Sequence, residues 1–177
     1  MRRVFCVASL CLISTLLFSL KLRSPGIRLF QNTLSADIPV AGGLPVRVMT
    51  AIDDGIRINV IFEFRLKRKK QFFLSSDPVI KEGRVSYAVT QNLLEGTYVV
   101  RSSTGRVFTY RTRKQYLTRL SSGVRLKIIR FSRLKAGVSY YLEVRILIRS
   151  TRMYPPFSFL SVFSSESPWV RSGVIVP

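Results

Sequence analysis

Histidine is absent from the 177 residues. That excludes Ser-His-Asp and Cys-His catalysis, histidine-ligated metal centres and a histidine switch near neutral pH. Cysteine is scarce: Cys6 and Cys11 are the only two, and both lie in an uncharged run near the start. Beyond that run there is no disulfide framework, no thiolate metal site and no thiol nucleophile. Acidic residues are few, nine against 29 Lys and Arg, for a formal charge of +20. They are too scattered for a calcium loop, and only Asp53 and Asp54 are adjacent. Those two precede Gly55, where turn geometry accounts for them better than a glycosidase carboxylate pair does. Neither glycine pattern that cradles phosphates is present. Nothing implies a cofactor, and the expectation is a protein that is not an enzyme.

What is there begins with the apolar run. Arg2 and Arg3 precede Val4–Leu20, and Lys21 and Arg23 close it. As a helix those 17 residues span roughly 25 Å. That lies between the length of a secretory signal core and that of a membrane-spanning helix. No small-x-small cleavage site follows directly, and Leu34-Ser35-Ala36 is far downstream. Three readings stay open: an uncleaved membrane anchor, a cleaved signal, and, least favoured, a buried core helix of a soluble protein. Residues 1–23 are assigned to this segment and 24–177 to one domain. The expected place is the bacterial inner membrane with the domain outside the cytoplasm, or an exported, periplasmic protein if the start is removed.

The domain reads as mainly β. Ile56, Ile58, Val60, Phe62, Phe64 and Leu66 alternate with Arg57, Asn59, Ile61, Glu63, Arg65 and Lys67. Such alternation predicts a strand with one buried and one wet face, as in an antiparallel sheet. Ser139–Arg149 repeats the pattern, with Tyr140, Leu142, Val144, Ile146 and Ile148 on one side. Shorter strands are expected at Ile27–Gln31, Val85–Val89 and Val124–Phe131. A hairpin is expected where Ser102-Ser103-Thr104-Gly105 joins Thr97–Arg101 to Arg106–Tyr110. Thr112 and Gln115 form a capping box that starts a helix, and Gly123 can stop it. Pro45–Asp53 is ambiguous. Pro45 and Gly55 bracket a helix, yet Val46 and Val48 alternate like a strand and Asp54-Gly55 suits a hairpin. About seven strands predict an antiparallel sandwich, with the immunoglobulin-like form as the expected architecture.

The order of these pieces resembles a bacterial protein family. The series runs from Ala51–Gly55 before the long strand, through Asp77, Leu94–Tyr98 and the capped helix at Thr112. It continues with Leu134–Gly137, Tyr140-Tyr141, the strand ending in Arg149, Pro155-Pro156, Trp169 and Ser172. The family comprises small exported or membrane-anchored proteins described only as a domain of unknown function. The resemblance implies one mostly β domain behind an N-terminal hydrophobic segment, and a helix at Pro45–Asp53. It brings no catalytic or binding residues.

Charge is the remaining lead. Twenty-five basic residues lie beyond Arg23 with all nine acids, so that part carries +16. The densest run is Arg65-Leu66-Lys67-Arg68-Lys69-Lys70. A domain so charged attracts polyanions. Strand parity puts Arg65, Lys67, Arg145 and Arg149 on one face, and Arg68, Lys69 and Lys70 extend it. These seven form the candidate anion-binding surface, expected as a continuous positive stripe. The same parity pairs Glu63 with Arg145 across strands. Tyr87, Tyr98, Phe108, Tyr110 and Tyr116 interleave with arginines but read as core, as does Pro155–Leu160. The expected role is an envelope-located binding or scaffold module. Its partners would be the membrane through the N-terminal helix, anionic lipid or another polyanion, and an envelope protein. A basic nucleic-acid-binding protein is the alternative.

Overall fold

The computed structural model describes residues 21–41, 43–70, 76–121, 124–150 and 164–177. The apolar run Val4–Leu20, the stop at Gly123 and the segment Pro155–Leu160 lie outside these residues. Among the described residues no helix is long and apolar enough to cross a membrane.

The chain begins with β1 (Lys21–Leu22), β2 (Gly26–Phe30), β3 (Thr33–Ile38) and β4 (Val40–Ala41), then α1 (Val46–Asp53). Four strands follow: β5 (Ile58–Arg68), β6 (Val79–Asn92), β7 (Thr97–Ser102) and β8 (Val107–Tyr110). After α2 (Arg113–Ser121) come β9 (Val124–Arg130), β10 (Tyr140–Ser150), β11 (Ser164–Glu166) and β12 (Val170–Arg171). The large sheet has the order β11-β10-β5-β6-β7-β8, with β12 beside β11 on the same edge of β10. A second sheet is β2-β3-β9, and β1 pairs with β4. All pairs are antiparallel. The mainly β, antiparallel class is as the sequence predicts.

The two alternating segments form the centre of the large sheet. Ile58, Val60, Phe62, Phe64 and Leu66 are buried, and Ile146 lies opposite Phe62 with Val144 opposite Phe64. Leu34, Ala36 and Ile38 of β3 and Val124, Leu126 and Ile128 of β9 join the same core, as do Val48, Ala51 and Ile52 of α1. Two layers therefore share one interior: the large sheet on one side, the small sheet and helices on the other. The tip of the Phe64 ring lies against Gly83 across the β5–β6 pair, where an added Cβ would stand 2.7 Å from the ring. Only glycine leaves that ring its place.

Pro45–Asp53 resolves as a helix. Val48, Ala51 and Ile52 are spaced to share one buried face. The Ile56 N–H donates to the Ala51 carbonyl and the Gly55 N–H to the Ile52 carbonyl, with Gly55 at φ +80°. That is a Schellman stop, so Asp54-Gly55 ends a helix instead of turning a hairpin. The capping box starts α2 as expected. The Gln115 Oε1 accepts the N–H of Thr112 at 3.3 Å, and Thr112 Oγ1 accepts that of Gln115 at 3.4 Å. One carboxylate ties the helices together: Asp53 accepts from the Tyr98 hydroxyl at 2.9 Å and pairs with Arg113 at the start of α2. Tyr116, stacked on Tyr98 at 4.8 Å, is fully buried, and burial pushes its phenol up to about 12.

Candidate binding cleft between the sheets

The predicted anion-binding surface begins on the outer face of the large sheet, and the register gives it an unexpected composition. One row across the strands reads Arg84, Glu63, Arg145; the next reads Glu82, Arg65, Glu143, Arg171. The charges alternate like a chequerboard. Arg145 Nε meets Glu63 at 2.8 Å, as strand parity predicts, and its Nη1 lies 3.6 Å from Glu166. Lys67 Nζ meets Glu143 at 2.8 Å, and Arg65 lies 3.8 Å from Glu82. The single tryptophan is clamped here, with the Arg65 and Arg145 guanidiniums 4.5 and 4.7 Å from the Trp169 ring centre. Arg171 covers Tyr141 at 3.5 Å. The Tyr141 hydroxyl donates to Asp77 at 2.7 Å, and the Lys70 N–H donates to the same carboxylate at 2.9 Å. The Lys70 bond first, then the Tyr141 bond, holds Asp77 below its usual carboxylate range.

Arg65, Lys67 and Arg145 thus come together, but carboxylates lie between them. Arg68, Lys69 and Lys70 sit at the far end of β5, and Arg149 lies opposite Asn59 at the near end. Nine residues of strand separate the two ends, about 30 Å. The seven do not line one site.

The excess charge concentrates elsewhere. Between the small sheet and the β6-β7-β8 end of the large one lies an open cleft of about 920 Å³. Its floor is mixed: Val100, Leu120, Val124 and Leu126 are buried core residues at its base, Val85 and Phe108 are half-exposed, and Ser102 and Thr104 add hydroxyls. Its rim carries five cations from three elements and one turn. Arg28 comes from β2, Arg125 and Lys127 from β9, Arg119 from α2, and Arg106 from the turn before β8. One carboxylate joins them, Asp37, at 3.3 Å from Arg28 and 3.2 Å from Arg125. Tyr87 also lines the cleft, its ring set edge-on to Phe62 at 6.1 Å. Burial raises its phenol pKa against the opposing pull of Arg119 and Arg106, so it stays protonated at neutral pH.

Each strand places these groups by simple alternation. On β9, Val124, Leu126 and Ile128 turn into the core while Arg125 and Lys127 stay exposed. The register Gly26–Asp37–Arg125 sets the carboxylate between the outer strands. The sequence reads Tyr87 and Phe108 as core, and both pack against it from the cleft side, whereas no motif in the sequence singles out Arg125 and Lys127. The available signal was the alternation of β9, in which basic side chains stand regularly between apolar ones.

A family model described as a domain of unknown function, DUF4390, matches residues 19–170. The chain belongs to this family. The resemblance drawn from the ordered motifs is therefore correct, and the DUF4390 match spans every residue of the cleft and all of the chequerboard face but Arg171. No curated protein and no solved structure matches the chain.

Proposed function

We propose that this DUF4390 protein is a non-enzymatic binding or scaffold module of the bacterial envelope, and that the basic cleft is its binding site. Its N-terminal apolar segment holds it at the inner membrane with the domain outside the cytoplasm, or directs its export to the periplasm. One observation carries the binding reading: five cations and a single carboxylate ring a floor with an apolar base. Charges of one sign gathered at a concave site repel one another, so their grouping favours an anionic partner. Arg68, Lys69 and Lys70 are a second, flatter basic patch that adds long-range attraction. The partners are an anionic lipid or another polyanion, together with an envelope protein. The domain is immunoglobulin-like in its layering, two antiparallel sheets over a common core; its β5-β6-β7-β8 meander is its own.

The test compares two charge reversals in the full-length protein, held in a neutral maltoside detergent and eluted by salt from an anionic resin. Arg106→Glu with Lys127→Glu should elute at clearly lower salt than Arg68→Glu with Lys69→Glu. Equal shifts would mean the charge acts diffusely, and the cleft would lose its role. The nucleic-acid alternative draws on Tyr87 and Phe108 beside arginines. Cell fractionation separates the two, since it requires the protein in the nucleoprotein fraction and the envelope reading requires the membrane pellet.

A further inference from the structure

Resting on that reading, we infer that the cleft takes a monoacyl phospholipid of net negative charge, its chain along the floor and its phosphate at the basic rim. The volume comes first. About 920 Å³ is far more than a lone phosphate needs and lies near the top of the roughly 300–1,000 Å³ range of small-molecule sites. The floor comes second. Val100, Leu120, Val124 and Leu126 are continuous with the domain's core, so the strip is hydrocarbon at its base. Its nearby hydroxyls are engaged with each other, Ser102 Oγ and Thr104 Oγ1 being 3.1 Å apart. An acyl chain laid there has no polar groups of its own to satisfy.

The rim comes third. Its cations flank the floor from both sides, Arg28, Arg125 and Lys127 on the small sheet, Arg106 and Arg119 on the other wall. Asp37 offsets one charge between Arg28 and Arg125, leaving a net excess of four. The two rings in the cleft are each partly engaged within the protein. The Arg119 guanidinium lies 5.6 Å from the Phe108 ring centre, and Tyr87 packs edge-on against Phe62. That disfavours a single-stranded nucleic acid, which needs open aromatic faces. The apolar base of the floor and the cationic rim together match an anionic headgroup on one hydrocarbon chain.

The experiment uses full-length protein in a neutral maltoside detergent and a lysophosphatidylglycerol analogue carrying a diazirine on its acyl chain. After irradiation, labelled peptides are located by mass spectrometry. The label should fall on the segments around Val85, Phe108 and Leu126. Excess lysophosphatidylglycerol should cut labelling about tenfold, while lysophosphatidylcholine, glycerol phosphate and a single-stranded oligonucleotide should compete weakly. Each methylene removed from a fully buried chain should weaken competition by up to about four-fold. Arg106→Ser with Lys127→Ser should cut labelling about tenfold at an unchanged melting temperature. The position of the label is read on the unaltered protein, so it stands even if that variant folds poorly. Label scattered over other surfaces overturns the inference, and so does equal competition by lysophosphatidylcholine. Competition by glycerol phosphate or by the oligonucleotide alone assigns the cleft to a different anion. If labelling fails while the cleft reversal still lowers elution from the anionic resin, only the lipid assignment falls. If both fail, the binding reading falls with it.

Discussion

The outer face of the large sheet and the cleft behind it are built from the same residue types and use them in opposite ways. On the outer face Glu63, Glu82, Glu143 and Glu166 stand among Arg65, Lys67, Arg84, Arg145 and Arg171. Four of the nine acids are spent there on near-neutrality. The cleft has five cations and Asp37. Half-buried ion pairs and two guanidiniums on one indole make the first region cohesive, each contact contributing up to about 1 kcal/mol. In the second, five cations share one carboxylate, and only Arg28 and Arg125 pair with it.

The two regions rest on one interior, and its removal should damage both. Phe62 is fully buried in the centre of β5 and touches Tyr87 of the cleft. Phe62→Ala should cost about 3–5 kcal/mol in chemical denaturation, the largest effect expected here. A loss below about 1 kcal/mol would mean that the alternation does not mark the core.

That alternation made the centre of the fold legible. On β5 and β10 one face is dry and the other wet, so sequence period and burial coincide. Elsewhere the period fails for physical reasons. The first part of β6, Val79–Glu82, is exposed on both faces and shows no period, so only Val85–Val89 stood out. On β3, Leu34, Ser35 and Ala36 are all buried, which erases the alternation from the other direction. Val46–Asp53 carried both periods, and only the backbone bonds around Gly55 decide it. The site was harder. Glu63 with Arg145 was legible because both sit on strands of known parity. Arg28 reaches the cleft from far along the chain, Arg106, Arg119 and Arg125 come from a turn, a helix and a strand, and no local pattern joins them.

The contrast sharpens at its two edges. Trp169→Ala should destabilise by about 1–3 kcal/mol, because it removes the surface on which Arg65 and Arg145 both lie. Arg106→Ser in the cleft should change stability by less than about 0.5 kcal/mol, or raise it slightly at low salt as repulsion is relieved. Thermal melts at two salt concentrations would check both, and a cleft variant that unfolds the protein would break the distinction.

The last effect is alkaline. Burial, then the bond to Asp77, pushes the Tyr141 phenol up to about 12, and burial does the same for Tyr116. An unfolded tyrosine titrates near 10, so the unfolded state loses its proton first as pH rises. Stability tied to these two groups is fully present below pH 10 and is lost between about 10 and 12. Tyr141→Phe should flatten that decline for the outer face and Tyr116→Phe for the α2 side, both read from denaturation midpoints across the alkaline range. Identical curves for all three proteins would show that the decline comes from other groups.

The pairing of β5 with β10 also sets a timetable. Arg145 follows Glu63 by 82 residues. At ribosomal rates of about 5–20 residues per second, roughly 4–16 s pass between the synthesis of the two. For that interval β5 has a partner on one edge at most, and its other edge can pair with a neighbouring chain. β11 and β12 arrive later still and cover the far side of β10. A nascent chain of this protein is therefore most exposed to mispairing after its first hairpin has formed, and a chaperone that shields strand edges would act in that window.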